Sequence, residues 1–112
     1  MKYYYNGNLL FVDMVTRYQY AVVEGDRVIS TQQTRRGAEI MAEAQRQSRR
    51  EFIRRLEGAL DLDEVTRMQE ADGRLYRSIR EDYPTPSAIH AAIARQKRTL
   101  ATIRIEPLEA VE

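Results

Sequence analysis

The chain has 112 residues, of which 43% are hydrophobic and 31% charged, a composition typical of one globular domain and not of a disordered chain. It contains no cysteine, which excludes disulfides and thiolate zinc sites, and its net charge of +1 gives weak overall attraction to nucleic acid. Because it has neither a signal-peptide core nor the roughly 18 consecutive apolar residues of a membrane helix, we expect one cytoplasmic domain over residues 1–112 and no membrane partner.

Two β-hairpins are predicted in the first third of the chain, with strands at positions 2–5, 8–12, 18–23 and 27–31. The dipeptides Asn6-Gly7 and Gly25-Asp26 separate the strands of each pair, and such dipeptides favour two-residue hairpin turns. Neither face of the strand at 18–23 is strongly polar, so we place this strand centrally. The stretch at 13–17 would join the hairpins into a four-stranded antiparallel meander.

A long helix is predicted from Arg35 to Leu60, with Thr34 as its N-cap, because good helix formers dominate and no proline intervenes. One stripe of the helix recurs at spacings of three or four: Ala38, Met41, Gln45, Ser48, Phe52, Leu56 and Ala59, widened by Ile40, Ala44, Ile53 and Leu60. Gln45 and Ser48 interrupt the stripe. Such a break indicates a helix that its own domain covers only in part, or a polar layer at an interface, and it leads us to expect a homodimer.

Asp61 and Glu64 have capping-box spacing and begin a second predicted helix at 62–80. The segment Tyr83-Pro84-Thr85-Pro86 must break the helical pattern, after which Thr85 and Pro86 start a third helix. Residues 101–106 alternate as a closing strand that Pro107 ends, pairing within the chain or with a second chain. The predicted fold class is therefore α+β: an N-terminal antiparallel β-meander, two or three helices and a short C-terminal strand.

The basic residues are nearly all arginines, since only Lys2 and Lys97 are lysines. Five arginines lie on the long helix: Arg46, Arg49, Arg50, Arg54 and Arg55. Arg46, Arg50 and Arg54 are four residues apart and form one row, here called the arginine ridge. The ridge is either a solvated face paired with Glu43, Glu51 and Glu57, or an anion-binding surface that Arg74, Arg77 and Arg80 could extend.

Tyrosines concentrate in the strand region, at Tyr3, Tyr4, Tyr5, Tyr18 and Tyr20. Tyrosine suits cross-strand packing, but it also stacks on nucleic-acid bases and anchors protein interfaces. We select Tyr18 and Tyr20, together with the five helix arginines, as candidate partner-binding residues.

The residues that most reaction classes need are missing. His90 is the sole histidine, and Ser87 beside it forms no catalytic arrangement without an orienting group. Capping explains Asp61, Asp63 and Glu64 better than metal binding does, and the five glycines form no phosphate-binding loop. We therefore predict a protein that is not an enzyme, with no catalytic residues, no metal site and no cofactor.

The first forty residues resemble small accessory proteins of phages, prophages and other mobile elements of gut-type bacteria. The resemblance rests on Tyr3–Leu10, Tyr18–Val23, Arg27–Ser30 and Gly37–Glu39. Such proteins include inhibitors of bacterial immunity, among them anti-CRISPR proteins. The resemblance implies an inhibitor in the host bacterial cytosol that binds a defence protein or ribonucleoprotein and blocks it sterically. It carries no catalytic residue.

Two alternatives remain open at this point. The arginine-rich helix could make the chain a nucleic-acid-binding module, whose affinity would fall steeply with salt. It could instead capture a small phosphate-bearing ligand between subunits.

Overall fold

The computed structural model describes residues 1–14, 17–60 and 78–111. Its fold is α+β, with an antiparallel strand region at the N-terminus, helices after it and short strands at the C-terminus, which confirms the predicted class. The chain divides into two compact units. The first comprises Met1–Arg46 and Thr102–Glu112, and the second comprises Gln47–Ala101. No helix in the described ranges is both long and apolar enough to cross a membrane.

Both predicted hairpins are present in the first unit. Strands β1 (Lys2–Tyr5) and β2 (Asn8–Val12) flank a turn in which Asn6 and Gly7 both have positive φ, as a type I′ turn requires. Strands β3 (Tyr20–Glu24) and β4 (Arg27–Gln32) flank a turn in which Gly25 takes the positive φ. Glycine fits there because it has no Cβ to clash with the backbone.

The hairpins belong to two different sheets, which corrects the expected single four-stranded sheet. The first sheet has the strand order β2-β1-β6 and the second sheet has the order β4-β3-β5. Strands β5 (Arg104–Pro107) and β6 (Glu109–Val111) are the added third strands, and both pair antiparallel. The C-terminal segment thus completes both sheets, and β3 is a central strand as predicted.

The C-terminal strand begins later and extends further than the sequence suggests. The preceding helix continues through Ala101, so the alternation that begins at this residue does not mark strand structure. Pro107 is the last residue of β5 and pairs with Tyr20, and the chain then continues as β6. Proline lacks the N–H that a ladder needs, and it is tolerated here because β5 is an edge strand of its sheet.

An aromatic cluster of Tyr3, Phe11 and Tyr18 packs beside the first sheet. Tyr3 stacks on Phe11 with ring centroids 4.7 Å apart, and Tyr18 meets both rings edge-on at 5.5 and 5.3 Å. The Tyr3 side chain is fully buried, and its hydroxyl accepts the backbone N–H of Tyr18 at 3.1 Å. The cluster therefore fixes the chain before β3 against β1 through both packing and a hydrogen bond.

Helix α1 (Arg35–Gly58) begins where the sequence predicts, because the Thr34 hydroxyl accepts the N–H of Gly37 at 3.0 Å. In the first unit it buries Ala38 and Ala42 completely. Gln45, which interrupts the predicted stripe, donates to the carboxylate of the nearly buried Glu24 on β3 at 2.9 Å. The interruption is therefore an internal polar contact of this unit.

Helix α2 (Pro86–Ala101) also begins as predicted, with the Thr85 hydroxyl accepting the N–H of Ala88 at 3.1 Å. It packs with the end of α1 in one core within the second unit: Ile53, Leu56, Ala59, Ile79, Ile89, Ala92 and Ile93. Residues 78–82 are helical, in agreement with the end of the predicted helix at 62–80. The rest of that prediction, including Asp61, Glu64, Arg74 and Arg77, lies outside the described residues.

The Tyr3 hydroxyl gives a test of the first unit. Tyr3→Phe keeps the ring but leaves the Tyr18 N–H without its acceptor, so we expect the free energy of unfolding to fall by about 1–3 kcal/mol. Chemical denaturation measures the change. Tyr4→Phe removes a hydroxyl from the opposite face of the same strand and is the matched control. Equal stability losses in the two variants would contradict the role assigned to the Tyr3–Tyr18 bond.

Candidate functional site

The arginine ridge is built into a network of local contacts. Arg46 is half-buried, donates to the Ile103 carbonyl at 3.3 Å and lies 3.6 Å from the Glu43 carboxylate. Arg54 is exposed and forms an ion pair with Glu51 at 2.7 Å. Arg50 is exposed on the same helix. Glutamates one turn away thus neutralise charge along the ridge, as expected for a solvated helix face.

The two remaining predicted arginines, Arg49 and Arg55, line a surface cavity of about 400 Å³ in the second unit. Its described lining residues are Ser48, Arg49, Glu51, Phe52 and Arg55. Arg49 donates to the side-chain oxygen of Gln96 at 3.0 Å, and Arg55 lies 3.8 Å from the Glu51 carboxylate. The carboxylate lowers the attraction of the cavity for an anion, because it competes for the same guanidinium groups.

Several arginines serve the protein's own backbone. Arg80 donates to the carbonyls of Ala59 and Leu60 at 2.6 and 2.7 Å, just after the end of α1. Arg104 donates to the Thr102 carbonyl at 2.9 Å and also bonds Glu106 and Tyr5. The bond to Glu106 is the main cause that raises the pKa of Arg104 above its ordinary value. The forked guanidinium suits these sites because it donates to two acceptors at once.

The tyrosine candidates lie in the first unit and take part in packing. Tyr18 is half-buried in the aromatic cluster, and its backbone N–H is bonded to Tyr3. Tyr20 is half-buried at the start of β3, where it pairs with Gln32 on one side and Pro107 on the other. Tyr18 thus packs among other aromatic rings, and Tyr20 has strand partners on both sides.

An exposed apolar helix face is the feature that the sequence reading missed. It consists of Ile40, Met41 and Ala44 on α1, all in the first unit. Ile40 is 57% exposed and Met41 is 41% exposed, whereas Ala38 and Ala42, on the side of the helix opposite Ile40, are fully buried. Ile40, Met41 and Ala44 belong to the apolar stripe that the sequence predicts to be covered only in part, but the part that stays exposed was not identified from the sequence pattern. The signal was present, since Ile40 lies two residues from each of the buried alanines and hence about 200° around the helix.

The remaining candidates for acid–base or metal chemistry are His90 and groups of acidic side chains. His90 is exposed on α2. Among residues 1–14, 17–60 and 78–111, no three or more His, Asp or Glu side chains are grouped so as to hold a metal ion.

Comparison of the chain with protein-family models, curated proteins and solved structures gave no match. The resemblance of the first forty residues to mobile-element accessory proteins therefore stays a prediction.

Substitutions of Arg80 and Arg54 measure how much each arginine contributes to the stability of the fold. Arg80→Ala removes the donors for two carbonyls, so we expect the free energy of unfolding to fall by about 2 kcal/mol. Arg54→Ala removes only an exposed ion pair, for which about 0–1 kcal/mol is expected. Arg80→Lys keeps the positive charge but lacks the forked guanidinium. Its loss in the free energy of unfolding should therefore lie between those of Arg80→Ala and Arg54→Ala. Chemical denaturation gives all three values, and equal losses for Arg80→Ala and Arg54→Ala would contradict the assignment.

Proposed function

We propose that the protein is a non-catalytic binder of another protein and that the exposed apolar helix face of Ile40, Met41 and Ala44 forms its contact surface. The observation that carries the proposal is the exposure of two large apolar side chains on a well-formed helix whose opposite side is already buried. Exposed apolar patches on a folded surface commonly mark sites of protein–protein contact.

The geometry of this face matches a common recognition mode. Residues 40, 41 and 44 are spaced so that they lie along one side of a helix, and such a row can insert into an apolar groove. Methionine adapts to varied partner surfaces because its side chain is unbranched and polarisable. Arg35 and Glu39 form an exposed ion pair on the same part of α1, as charged residues at the rim of an interface often do.

We further propose that the partner is a bacterial defence protein or ribonucleoprotein that the chain inhibits by covering its surface. This part rests on the resemblance of the first forty residues to accessory proteins of mobile elements. Steric blocking requires only a complementary surface, and α1 offers one. We also propose that the chain acts in the cytosol of the bacterial host.

The arginine-based alternatives receive less support from the contacts. Arg46, Arg54 and Arg55 have carboxylates within 4 Å, so binding nucleic acid or a phosphate group would require breaking these pairs. Fluorescence anisotropy of labelled single- and double-stranded DNA and RNA at low and high salt distinguishes the nucleic-acid alternative from the proposed protein binder. Salt-sensitive binding that Arg50→Ala/Arg54→Ala weakens would favour the nucleic-acid alternative over the proposal.

The proposed function is tested by an interference assay against a panel of defined CRISPR effectors and other bacterial defence systems. We expect the wild-type chain to inhibit at least one system and to form a complex with its purified effector. Ile40→Asp/Met41→Asp should weaken that complex about tenfold or more, because charges would be buried in an apolar contact. Titration by calorimetry measures the affinity.

The matched control is Ala91→Asp, which places the same charge on an exposed position of α2. It should leave inhibition and affinity unchanged, and circular dichroism should show that all variants fold alike. Absence of inhibition and binding across the panel would overturn the assignment to host defence. Full affinity of Ile40→Asp/Met41→Asp for a bound effector would overturn the contact surface.

A further inference from the structure

A second apolar surface lies on the side of the first sheet that faces away from Tyr3. Partners directly opposite each other in a sheet project to the same face, and residues two apart along a strand do so as well. The register pairs Tyr4 with both Leu9 and Glu109, and it pairs Lys2 with both Val12 and Val111. A register shift between Tyr3 and Tyr4 leaves Leu10 without a partner on β1, so Leu9 and Val12 share a face although they are three residues apart. These six residues therefore share one face, which we call the outer face.

The outer face is exposed although it is largely apolar. Leu9 is 54% exposed, Val12 56% and Val111 51%, while the fully buried Tyr3 belongs to the opposite face. Tyr4, at the centre, is half-buried. Leu9, Val12 and Val111 thus lie on the two strands that flank Tyr4 and Lys2 of β1, and exposed apolar surfaces of this kind are commonly covered by another molecule.

The charges on the outer face show which molecule fits it. It carries one cation, Lys2, and one anion, Glu109, on the neighbouring strands β1 and β6. In the described part of the chain neither forms an ion pair. A surface with one charge of each sign is complementary to its own copy, because a two-fold axis brings each cation of one copy towards the anion of the other.

We propose that the outer face is a self-association surface occupied by a second copy of this chain. The six residues form two rows across the strands, Leu9-Tyr4-Glu109 and Val12-Lys2-Val111. A two-fold axis running across the strands places each row against the other row of the second copy. Leu9 of one copy then faces Val12 of the other. Lys2 of one copy lies one strand spacing, about 4.8 Å, to the side of Glu109 of the other, which is within reach of a lysine side chain.

The size of the face sets the strength of the association. Stable complexes bury about 800 Å² on each partner, and a face of three short strands offers less than that. We therefore expect a reversible dimer with a Kd in the micromolar range or weaker, which forms as concentration rises. This surface differs from the apolar helix face on α1, so self-association and the proposed effector binding are separate properties.

Sedimentation equilibrium of the full chain over a range of concentrations tests the proposal. We expect a monomer–dimer equilibrium in which Val12→Asp raises the Kd about tenfold or more. Lys2→Glu and Glu109→Lys should each weaken the dimer by placing like charges together. The double variant Lys2→Glu/Glu109→Lys should restore the Kd to within about threefold of wild type, because the complementary pairing returns with its signs exchanged.

The control is Ile40→Asp/Met41→Asp, which alters the other apolar surface and should leave the Kd unchanged. All substituted positions are exposed, and thermal melts would confirm that each variant folds. A wild-type chain that stays monomeric up to about 1 mM overturns the proposal. A dimer that Val12→Asp does not weaken, or whose charge variants are not rescued by the double exchange, overturns it as well.

Discussion

The arginine–carbonyl hydrogen bond is the interaction on which much of this structure depends. Carbonyls that follow the end of a helix have no helical hydrogen-bond partner, and leaving them unpaired away from water is costly. Arg80 satisfies two carbonyls after α1 in the second unit, while Arg46 and Arg104 bond Ile103 and Thr102 in the first. These bonds fix the chain where helix gives way to other structure, and they explain several arginines without any ligand.

Contacts within the chain also weaken the hypothesis that the helix arginines bind an anion. An arginine row on a long helix invites an anion-binding hypothesis, but Glu43 and Glu51 already neutralise much of it. The surfaces without such internal partners are apolar: the helix face around Ile40 and the outer face around Leu9. Both belong to the first unit. Recognition of proteins, including a second copy of the chain, is the chemistry that such surfaces perform best.

Local signals predicted local structure well. The Asn6-Gly7 turn, the Thr34 and Thr85 caps and the start of both helices follow from short-range rules, and the structure has each of them. The contacts of the candidate site residues could not be predicted in this way. Arg46 and Tyr18 were chosen for their chemistry, yet their donors contact Ile103 and Tyr3, which are 57 and 15 residues away in sequence. Spacing along the chain carries no information about such partners.

The sequence by itself determined the α+β class, the two hairpins, the helix starts and the absence of cysteine chemistry, because these depend on composition and on neighbouring residues. Only the tertiary structure decided that the hairpins belong to separate sheets, since the C-terminal strands that complete those sheets come from the far end of the chain. It also decided which apolar residues stay exposed. Periodicity identifies an apolar residue, but burial depends on what packs against it, and Ile40 and Leu9 remain exposed.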